Sequence, residues 1–266
     1  MTDCCPISGE RFEYLLSLPM RDAAGKPPTV KDLYQCRECM LLRLDERHAL
    51  DETAYETHEY RASVNQAMPP AELHAQHLPA AQFFLRAFRE FDDHQDHPMG
   101  VCLDVGAGAG TLLDQLRDVA STRIAVEPSE AMGDWLAQRH DAWYRYLDAV
   151  PEAFLGRVDH AFCVTTLEHV RDPWVILRQI RELLAPDGAL YLVVPAPNPG
   201  KLFSDAAYRR VFFCAQHRWY FTAQAFKRML AESGLALAAT MTVNRGDGWW
   251  YHVVKCMRGP SEIRNA

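Results

Sequence analysis

The segment Val101-Cys-Leu-Asp-Val-Gly-Ala-Gly-Ala-Gly110 decides the fold. Its first residues, apolar but for Asp104, read as a buried core strand. The run ends in glycines at 106, 108 and 110, and Leu112, Leu113 and Leu116 then predict a helix. Glycines permit a tight turn and let a ligand approach the backbone with no Cβ in the way. The start of the following helix offers N–H groups and partial positive charge to an anion. Asp104, at the end of the strand, has the sign to meet a cation beside it.

Working outward, apolar runs at Arg123–Glu127, Asp159–Val164 and Ala189–Val194, with a shorter one near Trp143–Tyr146, alternate with amphipathic stretches. That alternation marks βαβ units and a mostly parallel sheet. Ser129 is placed to cap a helix bearing Met132, Trp135 and Leu136. Asp172-Pro173 opens another, with Trp174, Leu177, Ile180 and Leu184 on its buried face, ended by Pro186 and Gly188. Thr222 caps a third, carrying Phe226, Met229 and Leu230 and stopped by Gly234. Leu235–Val243 and Trp249–Cys256 read as two closing strands. Upstream, Leu73, His77, Ala80, Ala81, Phe84, Leu85 and Phe88 recur at three- and four-residue spacing and predict a helix over 70–92. The expected class is α/β: a doubly wound, mostly parallel, seven-stranded Rossmann-like core over 70–258. A small cysteine-containing module over 1–65, with little helical or strand period, precedes it.

With 266 residues, 48% apolar and 24% charged, the chain can hold one such core plus a small module. A formal charge of −7 lacks the electrostatic footprint of a general nucleic-acid binder. The opening MTDCCPISGERFEY is no signal peptide, and no window approaches the roughly 18 apolar residues of a membrane helix. A soluble cytoplasmic protein without nucleic-acid or membrane partners is expected, its oligomeric state open. Of eight cysteines, Cys102 and Cys163 sit in strand-like runs, where a reduced thiol acts as a small hydrophobe. Cys4, Cys5, Cys36 and Cys39 cluster near the N-terminus, which in a reducing compartment more often means metal than a bridge.

Seventeen residues after Gly110, Glu127 ends the second strand in Ala-Val-Glu-Pro-Ser, placed to accept from both hydroxyls of a ribose. Asp148, after the short run, is placed to accept from an adenine amino group. A dinucleotide fingerprint needs its third glycine three residues after the second. Thr111 stands there, and the glycine falls one residue early. An acid at the strand's end would also repel a pyrophosphate.

Leu-Asp-Val-Gly-Ala-Gly-Ala-Gly and Val-Glu-Pro-Ser resemble the motifs of class I S-adenosylmethionine (SAM)-dependent methyltransferases. The likeness continues in Thr166-Leu-Glu-His-Val-Arg-Asp-Pro173, Leu183-Leu-Ala-Pro-Asp-Gly188, Val194-Pro195 and His217-Arg-Trp-Tyr-Phe-Thr222, covering about residues 80–256. The Leu-Glu-His-Val-x-Asp-Pro form is similar to the branch acting on quinone precursors, sugars and natural products. The resemblance implies SAM as cofactor, held by Asp104, Gly106, Ala107, Gly108, Gly110, Glu127, Pro128, Asp148, Ala149 and Thr165. It implies a small-molecule acceptor: a sugar, nucleotide-sugar or natural-product intermediate. It places an acceptor-pocket insertion near 197–221.

The N-terminal region resembles the zinc-binding segment of some sugar and natural-product methyltransferases, where a Cys-Pro-x-Cys-Gly knuckle pairs with a later Cys-x-x-Cys. Here the knuckle reads Cys5-Pro-Ile-Ser8-Gly and the second pair is Cys36-Arg-Glu-Cys39. Serine is a poor zinc ligand, so Cys4, His48 or His58 is a candidate fourth ligand; the other reading is a fold that kept the shape and lost the metal.

Candidate catalytic residues are His169, Glu168 and His217. His169 follows the fourth core strand, where such sheets bind ligands, and histidine titrates near neutrality. It is a candidate base or a helix-end residue bonding only the backbone. In some quinone-precursor methyltransferases Glu-x-x-Glu-His holds a divalent metal. Thr165 replaces the first glutamate here, which argues against metal assistance of that type. Residues 201–228 carry Lys201, Arg209, Arg210, Arg218, Lys227 and Arg228 among aromatics, which suggests an anionic acceptor or else a solvated basic face. Two other functions stay open: a non-catalytic SAM- or S-adenosylhomocysteine-binding subunit and, against the glycine spacing, a nicotinamide-dependent dehydrogenase.

Overall fold

A computed structural model describes residues 4–19, 30–45, 53–57, 59–63, 67–92, 98–246 and 248–259. His48 and His58, the candidate histidine ligands, lie outside the described residues.

The chain begins with an antiparallel meander of β1 (Phe12–Pro19), β2 (Val30–Cys36) and β3 (Leu42–Leu44). Short helices α1 (Thr53–Glu56) and α2 (Glu59–Ser63) lead into the long α3 (Pro70–Arg89). The core then runs β4 (Gly100–Val105), α4 (Thr111–Asp114), β5 (Ala120–Val126), α5 (Glu130–Ala137), β6 (Ala142–Tyr144), β7 (Val158–Val164), α6 (Pro173–Leu183) and β8 (Leu184–Pro195). After it come α7 (Pro199–Ser204), α8 (Ala206–Phe212), β9 (Trp219–Tyr220), α9 (Ala223–Glu232), β10 (Leu235–Asn244) and β11 (Trp250–Arg258).

Seven strands form one sheet in the order β10-β11-β8-β7-β4-β5-β6. All its pairings are parallel except the two made by β11. Alternate residues of each central strand feed opposite cores. Leu103, Val105, Ile124, Val126, Leu190 and Leu192 pack with Leu177 and Ile180 of α6 and with Phe226 and Met229 of α9. Cys102, Ala125, Phe162, Tyr191 and Val193 pack with Phe84 and Phe88 of α3 and with Met132 and Leu136 of α5. Burial on both faces explains why these strands are apolar runs, each large side chain contributing about 1.5–3 kcal/mol. Strand β4 has β5 on one side and β7 on the other, so the chain winds away in opposite directions and leaves a crevice at their carboxyl ends.

Several expectations need correction. The helix expected through Leu116 is the four-residue α4, so its macrodipole is small. Strand β8 begins at Leu184, ahead of Pro186 and Gly188, because Leu184 already pairs with Val158. Residues 1–65 are not without period: β1 carries a register shift between Tyr14 and Leu16, which breaks the alternation that would have marked it. The N-terminal sheet is completed from far along the chain, β9 pairing with β3 through Leu42–Tyr220 and Arg43–Trp219. Leu18, Leu33, Leu42 and Leu44 share a third core with Leu202, Phe212, Phe213 and Tyr220. The Thr222 side chain accepts from Ala225 N at 3.2 Å, capping α9, and its hydroxyl donates to Met40 O at 3.2 Å, tying that helix to the N-terminal segment.

Candidate functional site

The crevice widens into a cavity of about 1150 Å³. Asp104, Gly106, Ala107 and Gly108 line it after β4, Glu127 and Pro128 after β5, and Thr165 and Thr166 after β7.

The turn after β4 is shaped by close approach. Gly106 has φ +78°, and a Cβ there would lie 2.2 Å from Thr166 Oγ1. Thr166 Oγ1 is itself 3.2 Å from the carbonyls of Val105 and Val164, so it cannot easily retreat. Thr165 beside it has φ +50°, an unfavourable conformation for a β-branched residue and of the kind that collects at binding sites.

Glu127 is buried and held from behind: Oε2 accepts from Gly108 N at 2.8 Å and Oε1 from Ser129 N at 3.2 Å. Arg61 Nη2 stands 3.9 Å from Oε1. Burial raises its pKa against these favourable partners. Asp104 is pushed up to about 7, first by burial and then by the charge of Glu127. Two buried carboxyls side by side form a strong attraction for a ligand that brings a cation and hydroxyl donors.

In the lining of the same cavity, Glu168, His169 and His217 place ligating atoms within 4.8 Å of one another. Glu168 and His169 follow β7, whereas His217 precedes β9. Arg218 N and Trp219 N donate to Glu168 O at 2.8 and 3.3 Å and fix the two segments together. His169 Nδ1 is 3.2 Å from Gln216 O; a carbonyl only accepts, so Nδ1 carries the proton and Nε2 the lone pair. Burial lowers the His169 pKa to about 4 and drives that of His217 well down, so both imidazoles are neutral at pH 7. Burial pushes Glu168 up to about 8.

The roof comes from residues that carry no sequence motif. Tyr55, Glu56, Tyr60 and Arg61 of α1 and α2 line the cavity. Tyr55 Oη is 3.2 Å from His169 Nδ1. Glu56 accepts from Arg145 Nη2 at 2.8 Å and from the Tyr146 hydroxyl. Helix α1 thus bridges the loops after β6 and β7. A tyrosine pair followed by arginine ahead of a helix was the available signal.

Other sequence-derived candidates fall elsewhere. Asp148 and Ala149 lie on an exposed 3-10 turn outside the lining, and their neighbour Leu147 lines the cavity instead. Gly110 is also outside the lining; a Cβ there would meet His140 Cε1 at 2.3 Å, so it serves packing. Of the 197–221 insertion, Cys214, Gln216 and His217 line the cavity. The bases of 201–228 do not: Arg210 is exposed, Arg209 donates to Leu202 O and Phe203 O, and Arg228, in α9, pairs with Glu38. The cationic lining is Arg61, Arg145 and Arg245, all outside the segment expected to supply it. Its aromatics Phe212, Phe213 and Tyr220 fill the third core.

The thiols of Cys5, Cys36 and Cys39 lie within 4.8 Å of one another. Cys5 Sγ is 3.4 Å from Cys39 Sγ, and Ser8 Oγ is 3.1 Å from Cys36 Sγ. A hydrogen bond from Cys39 lowers the Cys5 thiol to about 5. Cys4, a candidate fourth ligand, is outside this cluster, its backbone bridging to Arg11.

A doubly wound sheet with this strand order, a glycine turn after its first strand and acids ending its first two strands defines the Rossmann-like, SAM-dependent methyltransferase class. A methyltransferase-domain family model matches residues 71–240, and the chain belongs to that family. Comparison with curated protein sequences finds no match. Among solved structures the chain is similar to Burkholderia thailandensis 1,6-didemethyltoxoflavin-N1-methyltransferase with bound 1,6-didemethyltoxoflavin and S-adenosylhomocysteine. That match has 20% identity and TM-score 0.59 and covers 85% of this chain and 99% of that one. It is also similar to Synechocystis PCC 6803 magnesium protoporphyrin IX methyltransferase with bound S-adenosylhomocysteine (16%, TM-score 0.51, 68% and 84% covered). A third likeness is to a chain from the Haloferax volcanii complex of the Trm112 methyltransferase activator with a methyltransferase (14%, TM-score 0.54, 72% and 94% covered). At these identities the likenesses speak for the fold. Family membership agrees with the glycine spacing that argued against a dinucleotide site. Among the described residues no helix is long and apolar enough to cross a membrane.

Proposed function

We propose that this methyltransferase transfers the methyl group of SAM to a small molecule bearing an anionic group, such as a sugar, nucleotide-sugar or natural-product intermediate. The observation that carries this reading is the roofed cavity of about 1150 Å³, larger than the roughly 300–1,000 Å³ of an ordinary small-molecule site, with Arg61, Arg145 and Arg245 in its wall. It has room for a cofactor and a second small molecule together.

SAM supplies an electrophilic methyl on a sulfonium, together with an ammonium, a carboxylate and a ribose. The buried carboxyls fit it. Asp104 pairs with the ammonium. Glu127, held by the Gly108 and Ser129 amides, accepts from the ribose hydroxyls, at about 1.5–3 kcal/mol for each charge-assisted bond. Glu168, His169 and His217 gather in the same lining beyond β7, where an acceptor is aligned and its proton leaves. The insertion contributes Cys214, Gln216 and His217 to the lining, and the β3–β9 pairing braces it against the N-terminal sheet.

The N-terminal thiols are proposed as a structural zinc site. Sulfurs around a tetrahedral zinc stand about 3.8 Å apart. Cys5, Cys36 and Cys39 are near that spacing, with Ser8 at the fourth corner. Zinc there would pin the β2–β3 turn.

The test is a screen with methyl-labelled SAM against nucleotide sugars, free sugars, phenolic intermediates, RNA and protein. Transfer to an anionic small molecule is expected. Transfer confined to RNA or protein overturns the reading.

A further inference from the structure

Glu168 is 1% exposed and His217 7%. Neither carboxyl oxygen of Glu168 has a hydrogen-bond partner, nor does Nδ1 of His217. Burying a carboxyl without a partner is costly, and native proteins rarely tolerate it unless something else occupies the space. Two residues with orphaned groups, in one cluster within the lining of one cavity, share one explanation.

The third member of the cluster supplies it. Because His169 Nδ1 donates to Gln216 O, its Nε2 lone pair is fixed in orientation. Ligating histidines show this same arrangement, with the far ring nitrogen bonded to a carbonyl. The Glu168 carboxyl, which gives up its proton to a bound cation, and two imidazoles in the lining of one cavity make the two-histidine, one-carboxylate set of mononuclear metal sites. Ligand atoms around one such ion stand roughly 3–3.5 Å apart at metal–ligand distances of about 2.1 Å. The three groups, within 4.8 Å, reach that by small side-chain rotations.

We propose that Glu168, His169 and His217 bind one divalent transition-metal ion of the zinc, iron(II) or cobalt(II) kind at the acceptor end of the cavity. The local sequence after β7 offers only two of these ligands; the third comes from the insertion, through the backbone bonds from Arg218 and Trp219 to Glu168 O. Coordination positions left open face the cavity and suit an acceptor with two adjacent oxygens, such as a vicinal diol or catechol. This acceptor class rests on the methyl-transfer reading above. Coordination acidifies one hydroxyl, whose proton passes to solvent. Its oxygen forms the new bond to the methyl carbon as the carbon–sulfur bond breaks, leaving the electron pair on a now neutral sulfur.

The test uses the full chain stripped with a chelator and titrated with cobalt(II). Absorption separates a nitrogen- and oxygen-ligated ion from one at the thiols, which adds sulfur charge-transfer bands. Two spectral classes are expected. Glu168→Gln and His217→Gln should each lose the nitrogen–oxygen class, with affinity falling by more than the roughly 10–100-fold typical of outer-shell losses. Each variant's fold is checked by S-adenosylhomocysteine affinity, and either folded variant decides. Wild-type protein showing only the thiolate class, or a folded variant binding cobalt like wild type, overturns the proposal. Retained S-adenosylhomocysteine binding in that event leaves the methyl-transfer reading standing, whereas lost binding by wild type would sink that reading instead.

Discussion

Asp104 gives a pH test of the cofactor end. In the ligand-free protein its carboxyl holds its proton up to about pH 7, because burial and the neighbouring Glu127 charge both disfavour ionisation. An ammonium bound there needs the ionised form. Below pH 7, binding must expel that proton, at about 1.4 kcal/mol per pH unit. Affinity for S-adenosylhomocysteine should therefore rise about tenfold per unit from pH 5 to 7, roughly 100-fold in all, and then level. Calorimetry in two buffers of different ionisation enthalpy should show close to one proton released per ligand at pH 6. Asp104→Asn should bind weakly and lose most of the slope, with only the Glu127 contribution left. The sign for stability is opposite. A carboxyl raised from 3.8 to about 7 in the folded state favours folding at low pH, and that contribution, roughly 4 kcal/mol, is lost as pH rises from about 4 to 7 in the ligand-free protein. A wild-type affinity that is flat from pH 5 to 8, or an Asp104→Asn variant with an undiminished slope, would refute the assignment.

Gly106→Ala should lower stability by at least about 2 kcal/mol, or about 4–8 °C in melting temperature, through positive φ and overlap with Thr166. Adding Thr166→Ala should restore part of that loss in the same melting assay; no recovery would rule out the overlap. Thr222→Ala removes both the α9 cap and the bond to Met40 O, and denaturant unfolding should show a loss of about 1–2 kcal/mol. If the thiol cluster holds zinc, elemental analysis should find about one zinc per chain fewer in Cys39→Ser than in wild type, with a lower melting temperature in the variant; equal zinc in both would refute that site.

What could be read from the chain depended on how locally each feature is encoded. Strands β4, β5, β7 and β8 are covered on both faces, so their apolar runs stood out, and the turn with Gly106 and Gly108 announced itself by composition. Glu127 stood out as an acid directly after an apolar strand, β5. The N-terminal sheet was hidden by the shift at Tyr14–Leu16 and by a fourth strand only two residues long, β9. Asp148 follows the short β6 as the spacing suggested, but spacing says nothing of the 3-10 turn that leaves it exposed and outside the lining. The roof residues Tyr55, Tyr60 and Arg61, and the meeting of His217 with Glu168, arise from closure between distant segments, which periodicity does not report. Counting bases in 201–228 likewise missed that the cationic lining is Arg61, Arg145 and Arg245.

The β3–β9 pairing also bears on how the chain is made. On the ribosome, Leu33, Leu42 and Leu44 emerge long before Tyr220, by roughly 10–35 s at 5–20 residues per second. Throughout that interval the nascent sheet has an uncovered oily face and an unpaired edge. Chaperone demand should therefore track that delay, and grafting a β9-like strand directly after β3 should shorten it.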